Sequence, residues 1–447
     1  MAADLAAARR AALSPPYRTT LKPYGRALVE LARVRPEVVC LSGDLTRQCE
    51  VDLFQEVFPE RFIHAGMAEA NMIGVAGALA RQGLMPFVHS FGVFVTRRPL
   101  DQIVNAVAYP RLPVRIVGFM PGVSSPGGPS HQAIEDVALM RAIPGMTVID
   151  VADAAETAQV VAAMADLPGP VYLRLKRGEI PVIFPGDHRL SLDRAQVLDG
   201  LAEETGGGWP TSGGAGTAGG GATGGGAQTS GGADSRGGAQ TRGGALTGGG
   251  GHSLGGAATV GGGQIDGAAE TAGGGVSAGG GVSGGGAGIR GEAVTPVSGT
   301  AVSSDVALLV SGMMVAPALA AARVLRAAGA VTVVVNIPVI KPLDTATVLT
   351  VAAASSAVVT AENHSVIGGL GSAVAEALAE AGLGRPLRRV GLRDTFAEGA
   401  LTAPYLFTKY GLTTQHIVDT AWSVLGRPGA APRAPAVPVD PGEYAPV

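Results

Sequence analysis

Cysteine is nearly absent from this chain of 447 residues, which has only Cys40 and Cys49. Two thiols make neither a disulfide framework nor, by themselves, a zinc site, so a reducing cytoplasm is the expected setting. A surplus of positive charge is also missing: 33 basic residues face 36 acidic ones, for a net charge of −3. No basic cluster stands out, which argues against a nucleic-acid footprint and against a membrane-surface patch. The N-terminal MAADLAAARRAALSPPY places an Asp and an Arg pair where a secretory signal needs its apolar core. Long hydrophobic runs are lacking too. The stretch from Val306 to Ala322 is uncharged over about 17 residues, the lower limit for a spanning helix. It contains Ser311-Gly312 and Pro317, so a strand, a turn and a helix explain it better than a membrane span.

Glycine alone is in excess, and only locally. Of the 69 glycines, 40 lie between Gly206 and Gly299, and the rest of the chain has an ordinary share of about 8%. Residues 205–300 are built of Gly-Gly-Ala-type units with Thr, Ser and few large side chains. With no hydrophobic period, nothing there offsets the entropy of ordering, and the stretch reads as a disordered linker. Its expected r.m.s. reach is about 50–60 Å. Extending a connector of ~15 residues to ~110 costs roughly 1.7 kcal/mol in closure entropy, which a folded protein tolerates.

On either side, β-rich runs alternate with helix-length patterns. Residues 16–200 give strands at Val38–Leu41, Arg61–His64, Phe87–His89, Val114–Val117, Thr147–Ile149 and Val171–Leu173, with a small-residue helix from Ala68 to Arg81. Residues 305–425 give strands at Asp305–Val310, Val331–Val335, Ala357–Thr360 and Leu387–Gly391, and helices near 315–328, 345–354, 367–381 and 413–425. Continuous apolar strands separated by helices predict α/β architecture: two doubly wound parallel sheets, each covered on both faces. Chemistry in such sheets collects at the carboxyl ends of the strands. The Pro/Ala-rich tail after Arg427 is expected to fray.

Three groups of residues fall at such ends. Glu69, in Gly66-Met67-Ala68-Glu69-Ala70-Asn71-Met72, stands in the first turn of an otherwise apolar helix, where the helix dipole alone favours an acid. Phe91 and Phe94, in Ser90-Phe91-Gly92-Val93-Phe94, are three residues apart and could be simple core; Arg98 and Asp101-Gln102-Ile103 follow. Gly127-Gly128-Pro129-Ser130-His131-Gln132 delivers a histidine to a helix start, a common place for a capping residue.

Taken together and in this order, ahead of Leu139-Met140-Arg141-Ala142-Ile143-Pro144, they resemble the pyrimidine-binding domain of transketolases, in a short form that lacks the first third of the enzyme. Asn336-Ile337-Pro338-Val339-Ile340-Lys341-Pro342-Leu343-Asp344 and Glu362-Asn363-His364-Ser365-Val366-Ile367-Gly368-Gly369-Leu370-Gly371 resemble the transketolase C-terminal domain. The resemblance covers roughly residues 17–200 and 305–425. It implies a thiamine diphosphate site in which Glu69 hydrogen-bonds N1′ of the aminopyrimidine and favours its imino tautomer. The 4′-imino group then takes the C2 proton of the thiazolium, giving the carbanion that attacks a ketose. Phe91 and Phe94 would form the wall against the pyrimidine ring. Asp44 matches the acid of a Ser-Ala-Asp-Leu motif, and a place beside the site and a structural capping role are both open to it. His131 would touch the reacting oxygen, and Arg177 and Arg98 the substrate; Arg98 matches an arginine of deoxyxylulose phosphate synthases.

The family binds Mg2+ and the diphosphate through a Gly-Asp-Gly motif and a later Asn, and no Gly-Asp-Gly occurs here. This chain is therefore expected to supply no metal ligand. The cation site would come from an N-terminal transketolase subunit, in an α2β2 assembly acting on a small sugar or keto acid. The substrate end departs further from the family. Ser125-Pro126-Gly127-Gly128 is one residue short and lacks an acid, Met120 replaces a histidine, Leu21 an arginine and Gln48 a phosphate-binding serine. Two other readings fit the residues: a different thiamine enzyme subunit (2-oxo acid dehydrogenase β-like or deoxyxylulose phosphate synthase-like), or a non-catalytic assembly subunit. Retention of Glu69 speaks against the last, and the altered loop speaks for it.

Overall fold

The computed structural model describes residues 19–198 and 303–435; the expected linker and the end of the tail lie outside them. The strands are β1 (Thr19–Leu21), β2 (Val38–Ser42), β3 (Phe62–His64), β4 (Met85–Phe91), β5 (Arg115–Phe119), β6 (Thr147–Asp150), β7 (Val171–Leu175), β8 (Glu179–Pro181), β9 (Gln196–Val197), β10 (Ser304–Val310), β11 (Thr332–Asn336), β12 (Val339–Lys341), β13 (Ser355–Ser365) and β14 (Leu387–Leu392). The helices that pack on them are α1 (Pro23–Val34), α2 (Asp52–Val57), α3 (Glu69–Arg81), α4 (Gly92–Arg97), α5 (Asp136–Ala142), α6 (Ala154–Ala165), α7 (Val315–Ala327), α8 (Thr345–Ala354), α9 (Leu370–Glu380), α10 (Ala403–Lys409) and α11 (Thr414–Val424).

Two parallel sheets form, as the continuous apolar strands require. The first has seven strands in the order β12-β6-β7-β5-β4-β2-β3, and the second five in the order β14-β13-β10-β11-β9. Every residue of β2, β4, β5 and β7 is buried, because helices cover both faces of the first sheet. Leu28 of α1 and Val160 of α6 pack on one face; Ile73 of α3 and Met140 of α5 pack on the other. The second sheet is sandwiched in the same way, by α7 and α11 on one face and α8 and α9 on the other.

The two sheets exchange edge strands. β12 comes from the second segment yet pairs antiparallel with β6. β9 comes from the first segment and pairs antiparallel with β11. Each sheet thus ends on a short antiparallel strand lent by the other. The second sheet also holds both ends of the chain flanking residues 199–302, because β9 and β10 lie on either side of β11.

Candidate active site

The candidate site lies at the carboxyl ends of β2, β3, β4 and β5, which are neighbours in the first sheet. The turn after β3 starts α3 with Glu69, whose side chain is buried (3% exposed). Strand β4 ends at Phe91 and runs straight into α4, which carries Phe94 and ends next to Arg98. The loop after β5 carries His131.

Five of the seven residues singled out in the sequence meet here. Arg98 Nη1 donates to Glu69 Oε1 at 2.7 Å, and its guanidinium carbon lies 4.3 Å from the centre of the Phe94 ring. Phe91 and Phe94 stack with centroids 5.9 Å apart, and the His131 ring meets Phe94 edge-on at 5.2 Å. Glu69 is therefore not shielded among apolar residues alone, as its helix suggested, but holds a cation.

Asp44 and Arg177 have no hydrogen bond, ion pair or ring contact with these five. Asp44 follows β2 at φ 67°, half-exposed, with Oδ1 3.3 Å from His64 Nε2. Arg177 follows β7, where its charge acts on the buried thiol of Cys49.

The histidine loop is held from both segments. Arg97 donates to Pro129 O at 3.0 Å and Gln132 O at 3.1 Å, and pairs with Glu135. From the second segment, Asn363 donates to Pro121 O at 2.9 Å and accepts from Val123 N–H at 3.0 Å. Gly122 makes this approach possible: its φ is 56°, and a Cβ there would lie 2.1 Å from Asn363 Oδ1. Gln132 donates to Glu398 O at 3.1 Å, and Ala400 N–H donates to Pro126 O at 2.9 Å. Within the loop, a Cβ on Gly127 would come 2.9 Å from His131 Cβ, so glycine lets the imidazole fold back toward the phenylalanines.

Beneath the loop a buried charge cluster joins the segments. Arg174 of β7 holds Asp136 through two bonds (2.8 and 3.1 Å), Asp150 at 2.9 Å and the Asn363 carbonyl at 3.1 Å. Tyr172 and Ser311 donate to the two carboxylates. Burial opposes the charge on Asp136, but Arg174 outweighs it and holds that carboxyl below its usual range. Asp150 has a single bond to the guanidinium, and there burial wins and raises it. Burial also pushes His364 down to about 4, hence neutral. Its Nε2 accepts from Ala138 N–H, so Nδ1 carries the proton toward Ser365 O.

Sequence reading took Glu362-Asn363-His364 as a signature without assigning it a task. Glu362, raised to about 7 by burial, accepts from Leu370 and Gly371 N–H at the start of α9. The glycine-rich turn there is thus closed by a carboxylate from the chain itself, and a Cβ on Gly369 would sit 1.9 Å from Glu362 Oε2. Arg97 and Arg174 carry no signal of their own: an arginine beside a helix or inside a strand is unremarkable until its partners are seen.

Among the described residues, no group of three or more His, Cys, Asp or Glu side chains could hold a metal ion, and no helix is long and apolar enough to cross a membrane.

The fold is that of a two-sheet α/β protein, with the candidate site residues gathered at parallel strand ends. Residues 17–182 match the model of the transketolase pyrimidine-binding domain, and residues 300–417 that of the transketolase C-terminal domain. The 6-deoxy-6-sulfo-D-fructose transketolase subunit SqwH of Clostridium sp. (strain MSTE9) is 34% identical over 90% of this chain and 94% of its own length. A transketolase C-terminal section from Methanocaldococcus jannaschii is 30% identical over 91% of this chain and 96% of its own length. A solved split-gene transketolase, described as an inactive beta4 tetramer, superposes with a TM-score of 0.63 at 32% identity, covering 92% of this chain and 99% of that one. The chain belongs to the transketolase family and corresponds to its C-terminal half. It spans about half of a 1-deoxy-D-xylulose-5-phosphate synthase from Synechococcus sp. (strain JA-2-3B'a(2-13)), 46% of that protein at 27% identity.

Proposed function

We propose that this chain is the C-terminal subunit of a two-chain, thiamine-diphosphate-dependent transketolase-like enzyme that moves a two-carbon ketol unit between small sugars. The observation that carries this reading is the contiguous set of Glu69, Phe94, Phe91 and His131 at adjoining strand ends. These residues fit an aminopyrimidine, because a flat hydrogen-bond donor, the Arg98 guanidinium, already rests between the Glu69 carboxylate and the Phe94 ring. When bound, thiamine diphosphate would supply the nucleophilic carbon that accepts and returns the ketol unit.

Glu69 would share a proton with N1′, its buried carboxylate fixed by the first turn of α3. Phe91 and Phe94 would orient the ring and exclude water, with Asp44 near the same strand ends. His131 would hydrogen-bond the reacting oxygen of the substrate, with Arg177 and Arg98 available to an anionic end. The diphosphate and Mg2+ would be held by an N-terminal partner chain in an α2β2 assembly in the cytoplasm. The lack of Gly-Asp-Gly in this chain and its similarity to a named transketolase subunit and a C-terminal section support that division.

The test is calorimetry with thiamine diphosphate and Mg2+ on this chain alone, on the partner alone and on the mixture. Tight binding is expected only in the mixture. Tight Mg2+-dependent binding by the isolated chain would refute the division of the site.

A further inference from the structure

Arg98 makes both contacts that the proposed function reserves for the aminopyrimidine. Its Nη1 is 2.7 Å from Glu69 Oε1, and its guanidinium covers the Phe94 ring at 4.3 Å. A guanidinium is flat, carries N–H donors in its plane and stacks on aromatic faces, so it matches the shape and polarity of the aminopyrimidine with N1′ protonated, the form that donates to a carboxylate. The two residues it joins differ in freedom. The Glu69 side chain is 3% exposed and anchored by α3, whereas that of Arg98 is 51% exposed and lies just past the end of α4. Of this pair, only Arg98 can leave without disturbing the core. Phe91 is already stacked on Phe94 and buried, so a second flat ring reaches Phe94 most directly by taking the guanidinium's place. Glu69 Oε2 has no hydrogen bond among the described residues, so with Arg98 gone neither carboxylate oxygen keeps a side-chain partner.

We infer that Arg98 is a displaceable plug. It occupies the aminopyrimidine pocket of the cofactor-free subunit, balances the buried charge of Glu69, and swings outward when thiamine diphosphate enters. The inference rests on the thiamine reading above. Arg98 would then compete with the cofactor rather than hold it, which is the opposite of what a ligand-binding arginine does.

The experiment uses the complex with the N-terminal partner and compares wild type, Arg98→Met, Arg98→Lys and Glu69→Gln by calorimetry with thiamine diphosphate and Mg2+. Methionine keeps the apolar length of the stem but removes the guanidinium, so Arg98→Met should bind at least about fivefold more tightly than wild type. Lysine stacks less well and pairs through a single point charge, so Arg98→Lys should fall between the two. A crystal structure of the loaded wild-type complex should show the guanidinium away from Glu69. Affinity in Arg98→Met that is unchanged or weaker, or an Arg98–Glu69 contact that persists with cofactor bound, would overturn the plug while leaving the thiamine site standing. If Arg98→Met fails to assemble, the loaded structure and Arg98→Lys decide. No binding by any of the four complexes would remove the thiamine reading itself, and the plug with it.

Discussion

Replacing Arg174 by methionine should separate the charge cluster that ties the two segments together from the candidate site above it. Arg174 is 1% exposed and is the cation facing both Asp136 and Asp150. Its loss leaves two buried carboxylates without a counter-charge, a change that typically costs about 3–5 kcal/mol. With a urea m-value near ~3 kcal/mol/M for a chain of this size, the unfolding midpoint should fall by about 1–1.7 M.

The sign of the pH dependence follows from the carboxylates. In wild type Asp136 is held below its usual range. It therefore contributes stability above the unfolded Asp value, and that contribution is lost as pH falls through the lowered one. In Arg174→Met burial is opposed only by weaker contacts such as the Tyr172 and Ser311 hydroxyls, so the folded value rises above the unfolded one and the carboxyl instead costs stability as pH increases. The gap between wild type and variant should thus be widest at pH 8 and narrow toward pH 5. Adding Asp136→Asn and Asp150→Asn to Arg174→Met should recover at least half of the loss, since no unpaired charge remains. A gap under about 1 kcal/mol, or one equal at both pH values, would refute the argument.

In the two-chain complex, Glu69→Gln should keep the fold but slow C2-proton exchange of thiamine diphosphate by ~10²–10⁴-fold, the usual scale of acid–base contributions; an unchanged rate by NMR would exclude the role proposed for it. Replacing residues 206–299 by a short Gly/Ser linker should leave the thermal midpoint unchanged, because β9 and β10 flank β11 and their facing ends, offset by two strand spacings across and about five residues along β11, are roughly 20 Å apart, a span that a short linker covers; a large drop would mean that the stretch contributes to the fold. Xylulose 5-phosphate and ribose 5-phosphate should be poor substrates, because Leu21 and Gln48 stand where the resemblance to transketolases implies an arginine and a serine on the phosphate. A less phosphorylated sugar or a small 2-oxo acid should do better, and a donor and acceptor panel giving kcat/KM near ~10⁴ M⁻¹s⁻¹ for the pentose phosphates would contradict this.

Much of this protein was legible one residue at a time. Apolar runs such as Val38–Leu41 and Val171–Leu173 specify parallel strands because only a sheet covered on both faces can bury every side chain. The separations between Glu69, the Phe91/Phe94 pair and the histidine loop place all three at strand ends, since they sit where apolar runs give way to helix starts. The exchange of β9 and β12 between sheets was not legible: each is only two or three residues long, too short for a period, and each is a strand only because an edge needs a partner for its backbone groups. Nor did the sequence disclose that Arg98 rather than an apolar wall faces Glu69, or that Arg174 is the cation between two acids 24 and 38 residues away. Periodicity reports which face of an element is buried, but the partner of a buried charge is chosen by how distant elements pack. That choice is made only in the tertiary structure.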